Sequence, residues 1–217
     1  MARGVLIAEG VYHYIIGTNE TAREAWTLSR LGHGGNVFDT RIDSVKPTKQ
    51  SWVVTYELTS KWLQRGVTIR VDQDHQVMRT EQTARAKKWS AHVESPAGAQ
   101  DFTLDFSPSH QVWFASPIFA SVVLVRIAPA EGNSSELETI VIQPGSLAPT
   151  IEKQTWSARG EDKVQVPAGE FSALKFEMSN ASGTTQIWSD SHGTILRLAA
   201  PDGSQVQLAS YLRHGRN

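Results

Sequence analysis

The amino-acid sequence predicts a mainly β protein, a single curved antiparallel sheet forming a half-barrel or barrel, with one short apolar helix or plug near residues 110–127. Three observations carry that prediction. Apolar and polar residues alternate with the period of a half-buried strand from Gly10 to Phe106, and again from Leu137 to Leu212. Turn residues break the alternation at intervals of about eight to twelve positions. The chain has 217 residues, 40% of them hydrophobic, a size that one all-β barrel or sandwich routinely occupies. Residues 1–217 are therefore expected to form a single β-barrel-like domain.

Val11 to Ile16 opens the strand series, rich in Tyr and β-branched side chains that suit a pleated surface, and Gly17-Thr18-Asn19 ends it. Arg23 to Leu31 places Glu24, Trp26, Leu28 and Arg30 on one face before the turn Gly32-His33-Gly34-Gly35-Asn36. Val37 to Val45 sets Phe38, Thr40 and Ile42 on a core-like face and Asp39, Arg41 and Asp43 on a wet one, and Lys46-Pro47 closes it. In Ser51 to Leu58, Trp52, Val54, Tyr56 and Leu58 share one apolar face. Val67, Ile69 and Val71 follow, and Asp72-Gln73-Asp74-His75 turns the chain into Gln76 to Thr83. Trp89, Ala91 and Val93, the turn Ser95-Pro96-Ala97-Gly98, and Phe102, Leu104 and Phe106 read as a hairpin.

The pattern changes after Ser107-Pro108-Ser109, where His110 to Ile127 crowds apolar residues without alternation. Ser116 followed by Pro117 suits an N-cap and a first-turn proline, which predicts a helix from Pro117 to Ile127, apolar nearly all round. Val122, Val123 and Val125 favour a strand instead, so both readings stay open at this point. After the polar loop Ala130 to Ser135, strands are predicted at Leu137 to Ile142, Ile151 to Arg159, Asp162 to Val166, Phe171 to Ser179, Thr184 to Asp190, Thr194 to Ala199 and Gln205 to Leu212. A dozen or so antiparallel strands cannot stay flat, because strand twist curls them. The segment His110 to Ile127 would then cover or plug the concave side.

Composition excludes several classes of function. Zero Cys removes thiol nucleophiles, thiolate zinc sites and disulfides, and suits a reducing compartment. A net charge of −1 gives no global field toward nucleic acid or an anionic membrane, and neither partner is expected. The longest apolar run, Pro117 to Ile127, falls well below the roughly 20 residues that cross a bilayer, so no integral membrane segment is expected. The first ten residues hold only about four apolar side chains before Glu9, too few for a signal peptide, and a cytoplasmic location is expected.

The carboxy-terminal third carries a motif. Val164-Gln165-Val166-Pro167-Ala168-Gly169-Glu170-Phe171-Ser172-Ala173, followed by Ile187-Trp188-Ser189-Asp190 and Gly193-Thr194-Ile195-Leu196-Arg197, resembles a turn, strand and hairpin in a group of uncharacterised bacterial proteins. Those proteins are similar in fold to periplasmic lipoprotein carriers and to proteins named for glycolipid binding. The resemblance covers about 50 residues and implies a curved antiparallel sheet around a hydrophobic cavity. It implies no catalytic residues. Read physically, Pro167 and Gly169 fix a turn while Phe171, Ala173 and Trp188 fill a core.

Chemistry-bearing motifs are sparse. No Gly-x-Ser-x-Gly elbow, phosphate loop, dinucleotide fingerprint or His-Glu-x-x-His helix occurs. Gly32-His33-Gly34-Gly35 reads as a hairpin turn rather than an oxyanion loop, and Asp72-x-Asp74-His75 and Asp190-x-His192 read as turns rather than metal sites. No metal or cofactor is expected. Asp39, Arg41 and Asp43, with Glu24 and Arg30 on a neighbouring strand, read as solvent-side pairs; on a cavity face they would grip a polar headgroup or run acid-base chemistry. Lys87, Lys88 and Arg85 beside Trp89 read as an exposed strand edge rather than a nucleic-acid contact.

Aromatic residues are the most informative signal. In a curved sheet the inward-facing ones line an apolar pocket or fill a core. Trp113, Phe114 and Phe119 are the first wall candidates for a ligand, with Trp26, Trp52 and Tyr56 beside them. The leading expectation is a binding protein that holds an apolar or lipid-like small molecule. The alternatives are a cavity enzyme of lipid or secondary metabolism using a buried carboxylate or His, and a structural module with a filled core. Catalytic residues and oligomeric state are not specified by these patterns.

Overall fold

The computed structural model describes residues 4–45, 49–72, 76–83, 88–105, 107, 111–127 and 132–215, with the backbone course alone for 76–83. The strands before the helix are β1 (Val5–Ile16), β2 (Asn19–Arg30), β3 (Asn36–Ser44), β4 (Gln50–Leu58), β5 (Gln64–Val71), β6 (Gln76–Thr83), β7 (Lys88–Ser95), β8 (Gly98–Asp105) and β9 (Gln111–Trp113). The helix α1 spans Pro117–Ile127. It is followed by β10 (Ser134–Ile142), β11 (Pro149–Val166), β12 (Gly169–Asn180), β13 (Gly183–Ser189), β14 (Ile195–Ala199) and β15 (Ser204–Arg213).

All 15 strands form one sheet in the order β8-β7-β6-β5-β4-β3-β2-β1-β15-β14-β13-β12-β11-β10-β9. Two meanders meet where β1 pairs with both β2 and β15, which leaves β8 and β9 as the edges. A bulge at Ile7 of β1 against β2, and one at Ala209 of β15 opposite Val11 and Tyr12, add local bend, as an unpaired residue does in a twisted ladder. The sheet curls until both meanders reach α1. Phe119 stacks on Tyr56 of β4 in one arm, and the turn before β14 in the other arm lies against Val125.

Burial explains why an apolar, Val-rich segment is helical. Every residue from Ile118 to Leu124 is buried, so all faces of α1 meet the sheet interior rather than one stripe. Tertiary packing of this kind outweighs the weak preference of β-branched residues for strands, since each fully buried aliphatic side chain contributes about 1.5–3 kcal/mol. The inward faces of the strands supply the rest of the core, including Trp26, Phe38, Ile42, Val54, Ile69, Trp89, Trp156 and Phe176.

The structure corrects several expectations. The apolar helix predicted near residues 110–127 stands at Pro117–Ile127; ahead of it Gln111–Trp113 forms β9, which runs parallel to β10, the one parallel pairing among the described residues. Ile151 to Arg159 and Asp162 to Val166 are one strand, β11, because Gly160 adopts a φ of 84° and makes a bulge between Ala158 and Glu161 rather than a turn. β1 begins at Val5, six residues before the first predicted strand, and Ser134 and Ser135 belong to β10 rather than to a loop. Lys88 does not lie on an edge strand, since β7 pairs on both sides; its ammonium pairs with Asp105 on β8. Arg85 and Lys87 lie outside the described residues.

The Val164 to Ala173 motif is a hairpin. Val166 pairs with Gly169 across Pro167-Ala168, and the Ala168 amide donates to the Leu208 carbonyl at 3.1 Å, fastening the turn to β15. Ala173 and Trp188 are buried, as the sequence implies, whereas Phe171 is half-buried against the core; Val164 and Val166 are buried as well.

Candidate functional site

The inward face of β2 organises the interior. Its period of two sends Glu24, Trp26, Leu28 and Arg30 to the same side, and these run from the centre of the molecule to its rim. Glu24 is therefore not a solvent-side partner of Asp39, Arg41 and Asp43, which stay outside. Asp39 is exposed and accepts from Thr55 at 2.7 Å, while Arg41 pairs with Asp43 at 3.0 Å and Asp72 at 3.4 Å.

Glu24 is completely buried. Three hydroxyls surround its carboxyl group: Thr40 and Ser116 donate to Oε1 at 2.7 and 2.6 Å, and the Tyr14 hydroxyl lies 2.5 Å from Oε2. Burial raises the Glu24 pKa, because a charge in a low-dielectric interior is disfavoured, and the three hydroxyls oppose part of that rise. The positive end of α1 also favours the carboxylate, without cancelling the effect of burial. The Tyr14 oxygen stands 3.2 Å from the Ala115 carbonyl as well as beside Glu24. With a proton on Glu24 Oε2, that O–H donates to Tyr14 and the Tyr14 O–H donates to Ala115. Each contact then has its own hydrogen.

Ser116 completes this unit. Its hydroxyl accepts from the Ile118 amide at 3.3 Å while donating to Glu24, so it caps α1 and fastens the cap to β2 at once. The helix N-terminus is thereby set at the level of Glu24, and its C-terminal half points toward the rim.

Between α1 and β1–β3 lies a cavity of about 80 Å³. One wall is a chain of aromatic rings: Tyr12 and Trp26 are stacked 5.9 Å apart, Trp26 and Phe38 are 6.2 Å apart, and Phe38 and Trp62 are 6.2 Å apart. Ile118, Ser121 and Val125 of α1 form the facing side. The turn from Asp190 to Thr194 closes the space laterally. Asp190 Oδ1 accepts from the amides of His192 at 2.9 Å and Thr194 at 2.7 Å, and Tyr211 donates to Oδ2 at 3.4 Å. Arg30, Arg213 and His192, all exposed, surround the opening. A second cavity, of about 190 Å³, is lined by Tyr14, Ala22, Ile42, Trp52, Phe114 and Pro144, among others.

The six aromatic residues proposed from sequence do not form one wall. Trp26 lines the first cavity, and Trp52 and Phe114 line the second. Tyr56 and Phe119 stack on each other at 4.6 Å in the core, and half-buried Trp113 packs edge-on against Trp156 at 6.1 Å. The sequence does not single out Tyr12 or Phe38 as wall residues, although alternation already sets Phe38 on the core-like face of its strand. Trp62, one of the aromatic residues the sequence offers for a pocket, reaches the wall from the β4–β5 turn with a φ of 60°, a conformation rare for a bulky side chain.

The glycine-rich and Asp190 motifs are turns. The Gly32 to Gly35 segment is a hairpin turn in which the Leu31 amide donates to the Gly35 carbonyl at 2.8 Å. Asp190 organises its own turn through backbone amides. Asp74 and His75 lie outside the described residues, and no group of three or more His, Asp or Glu side chains suited to a metal occurs among the described ones.

No family model matches the chain, and no curated protein is significantly similar to it. Solved structures do match. A β-barrel-like protein of the domain of unknown function DUF1849 from Brucella abortus superposes with a TM-score of 0.66 at 10% identity, over 99% of this chain and 100% of that one. A DUF1089 family protein from Pseudomonas aeruginosa gives a TM-score of 0.54 at 16% identity, over 84% of this chain and 91% of that one. The likeness is one of fold. This chain shares a barrel-like architecture with uncharacterised proteins.

Proposed function

We propose that the protein binds a small apolar or amphiphilic molecule in the space between α1 and β1–β3. The observation that carries this reading is the row Tyr12, Trp26, Phe38 and Trp62 beside a void that opens at the rim rather than being filled. Its size sets the ligand: about 80 Å³ is roughly half the ~150 Å³ of an engineered cavity that takes up benzene, so the void holds the last few carbons of an alkyl tail and the rest of the tail lies in its open mouth. The lipoprotein-carrier resemblance of the Val164 to Ala173 hairpin points the same way. In this reading Glu24 is a latch, since hydroxyls occupy both its carboxyl oxygens and it lines neither cavity.

The test has two parts. Native mass spectrometry followed by solvent extraction looks for a co-purifying small molecule. Titration with 1-hexanol, followed by NMR at the indole N–H signals of Trp26 and Trp62, should shift both in the natural protein. Ser121→Leu, which extends a branched side chain into the void from α1, should abolish the shifts without lowering Tm. Equal shifts in the two proteins, or none in the natural one, would refute the reading.

A further inference from the structure

We propose that the ligand's outer end is anionic, a carboxylate or phosphate gripped by Arg30 and Arg213 at the rim of the aromatic cavity. This inference rests on the cavity reading and adds the class of headgroup.

Strand register delivers both guanidinium groups to one place. Arg30 is the last residue of the Glu24, Trp26, Leu28 face of β2, and it pairs with Val5 of β1. On the opposite flank of β1, Arg213 of β15 pairs with Ala8, whose other neighbour across the ladder is Leu28. Both side chains line the opening, and His192 joins them from the turn before β14.

Among the described residues neither arginine meets an acid. Several exposed arginines of this chain sit against acids, Arg23 on Glu20, Arg41 on Asp43 and Arg159 on Glu177, while Arg65 lies against His33 at 3.3 Å. Among the described residues Arg30 and Arg213 have no ion pair, and the contact recorded for Arg213 is a 3.4 Å donation from Nη1 to the Tyr211 hydroxyl. The acids nearby are committed elsewhere: Asp190 to two turn amides and Tyr211, and Glu9 to His214 at 3.0 Å. Two unpaired guanidinium forks beside an apolar void suit a planar or tetrahedral oxyanion whose tail enters the void, because each fork donates bidentately. Space for that headgroup exists outside. A depression of about 730 Å³ shares Ile7, Arg30 and Arg213 with the cavity and continues to Leu6 and His214.

The experiment is a set of NMR titrations at fixed ionic strength and neutral pH with hexanoate, hexyl phosphate, 1-hexanol, acetate and inorganic phosphate. Hexanoate and hexyl phosphate should each bind at least tenfold tighter than 1-hexanol, and tighter than acetate or phosphate. Arg30→Gln with Arg213→Gln should bring the two anions down to the affinity of the alcohol while leaving the alcohol unchanged. If the alcohol matches the anions in the natural protein, the anionic headgroup is wrong and the cavity reading stands. Inorganic phosphate binding as tightly as hexyl phosphate would sever the arginines from the cavity and overturn the inference. Failure of all three six-carbon probes would remove the cavity reading beneath it.

Discussion

The Ser116 hydroxyl donates to Glu24 Oε1 at 2.6 Å across 92 positions of sequence, and through this contact the cap of α1 is built into the wall of the sheet. Removing the carboxyl group should loosen both. Glu24→Ala strips Ser116 of its acceptor and leaves Thr40 and Tyr14 with the Ala25 and Ala115 carbonyls. Stranded buried hydroxyls cost about 1–3 kcal/mol, and Tm should fall accordingly. Glu24→Gln keeps an acceptor for Thr40 and Ser116 and offers an N–H to Tyr14, so its stability should lie within about 1 kcal/mol of the natural protein. Urea melts of the two variants decide this; equal losses would mean that shape, not hydrogen bonding, is what matters at this site.

The same residue sets a pH dependence with a definite sign. Burial raises the Glu24 pKa in the folded state above its ordinary value of 4.5. The native state thus holds its proton where the unfolded state has released it. Over the window from that ordinary value up to the raised one, stability falls as pH rises; above the window the loss is complete and constant. Below it both states are protonated and no penalty exists. Gln cannot titrate, so the stability of the natural protein minus that of Glu24→Gln should drop as pH climbs from about 4 toward neutrality, then level. A difference that grows with pH would show that the pocket prefers the carboxylate.

Much of the architecture was legible because its signal is local. Period-two alternation in β2, β3 and β4, turn chemistry at Pro167 to Gly169, and the Ser116-Pro117 start of α1 each lie within a few residues of sequence. What escaped depends on distant partners. Glu24 was visible on the face of Trp26, but ionisable residues are rarely fully buried unless paired, and nothing near it in sequence announces Ser116. The three-residue β9 exists because β10 is there to pair with it. The sequence breaks between Arg159 and Asp162 where the strand only bulges, because a left-handed glycine, here Gly160, serves bulges and turns alike. The Arg30 and Arg213 pair is set by β1 lying between their strands, a product of bringing the two ends of the chain together in mid-sheet.

Gly193 is expected to tolerate no side chain, for two separable reasons. Its φ is 82°, and a Cβ there would lie 2.6 Å from Val125 Cγ2 of α1. Gly193→Ala should lose about 1–3 kcal/mol from backbone strain plus the clash. Val125→Ala removes the atom struck but not the strain. In a double-mutant cycle the two changes together should cost less than the sum of the separate ones by at least about 0.5 kcal/mol. Strict additivity would mean that the turn and the helix move apart freely, in which case the lateral wall of the cavity is not fixed by this contact.

Phe119 distinguishes a cavity wall from a core. A wall residue, when truncated, weakens ligand binding and leaves the fold nearly intact, whereas a residue stacked on Tyr56 at 4.6 Å and packed edge-on against Phe114 at 6.2 Å leaves a void when it is cut back. Phe119 has no exposed surface, and Tyr56 is almost as deeply buried. Phe119→Ala should therefore cost about 3–5 kcal/mol, the range for buried aromatic truncations. The void would be apolar, lined by Tyr56 and Phe114, and such engineered cavities stay dry and accept small hydrocarbons. Benzene should then raise the Tm of Phe119→Ala while leaving that of the natural protein unchanged, since binding only to the folded form stabilises it by mass action. A small stability loss together with weaker 1-hexanol binding would instead move Phe119 from the core to the ligand wall.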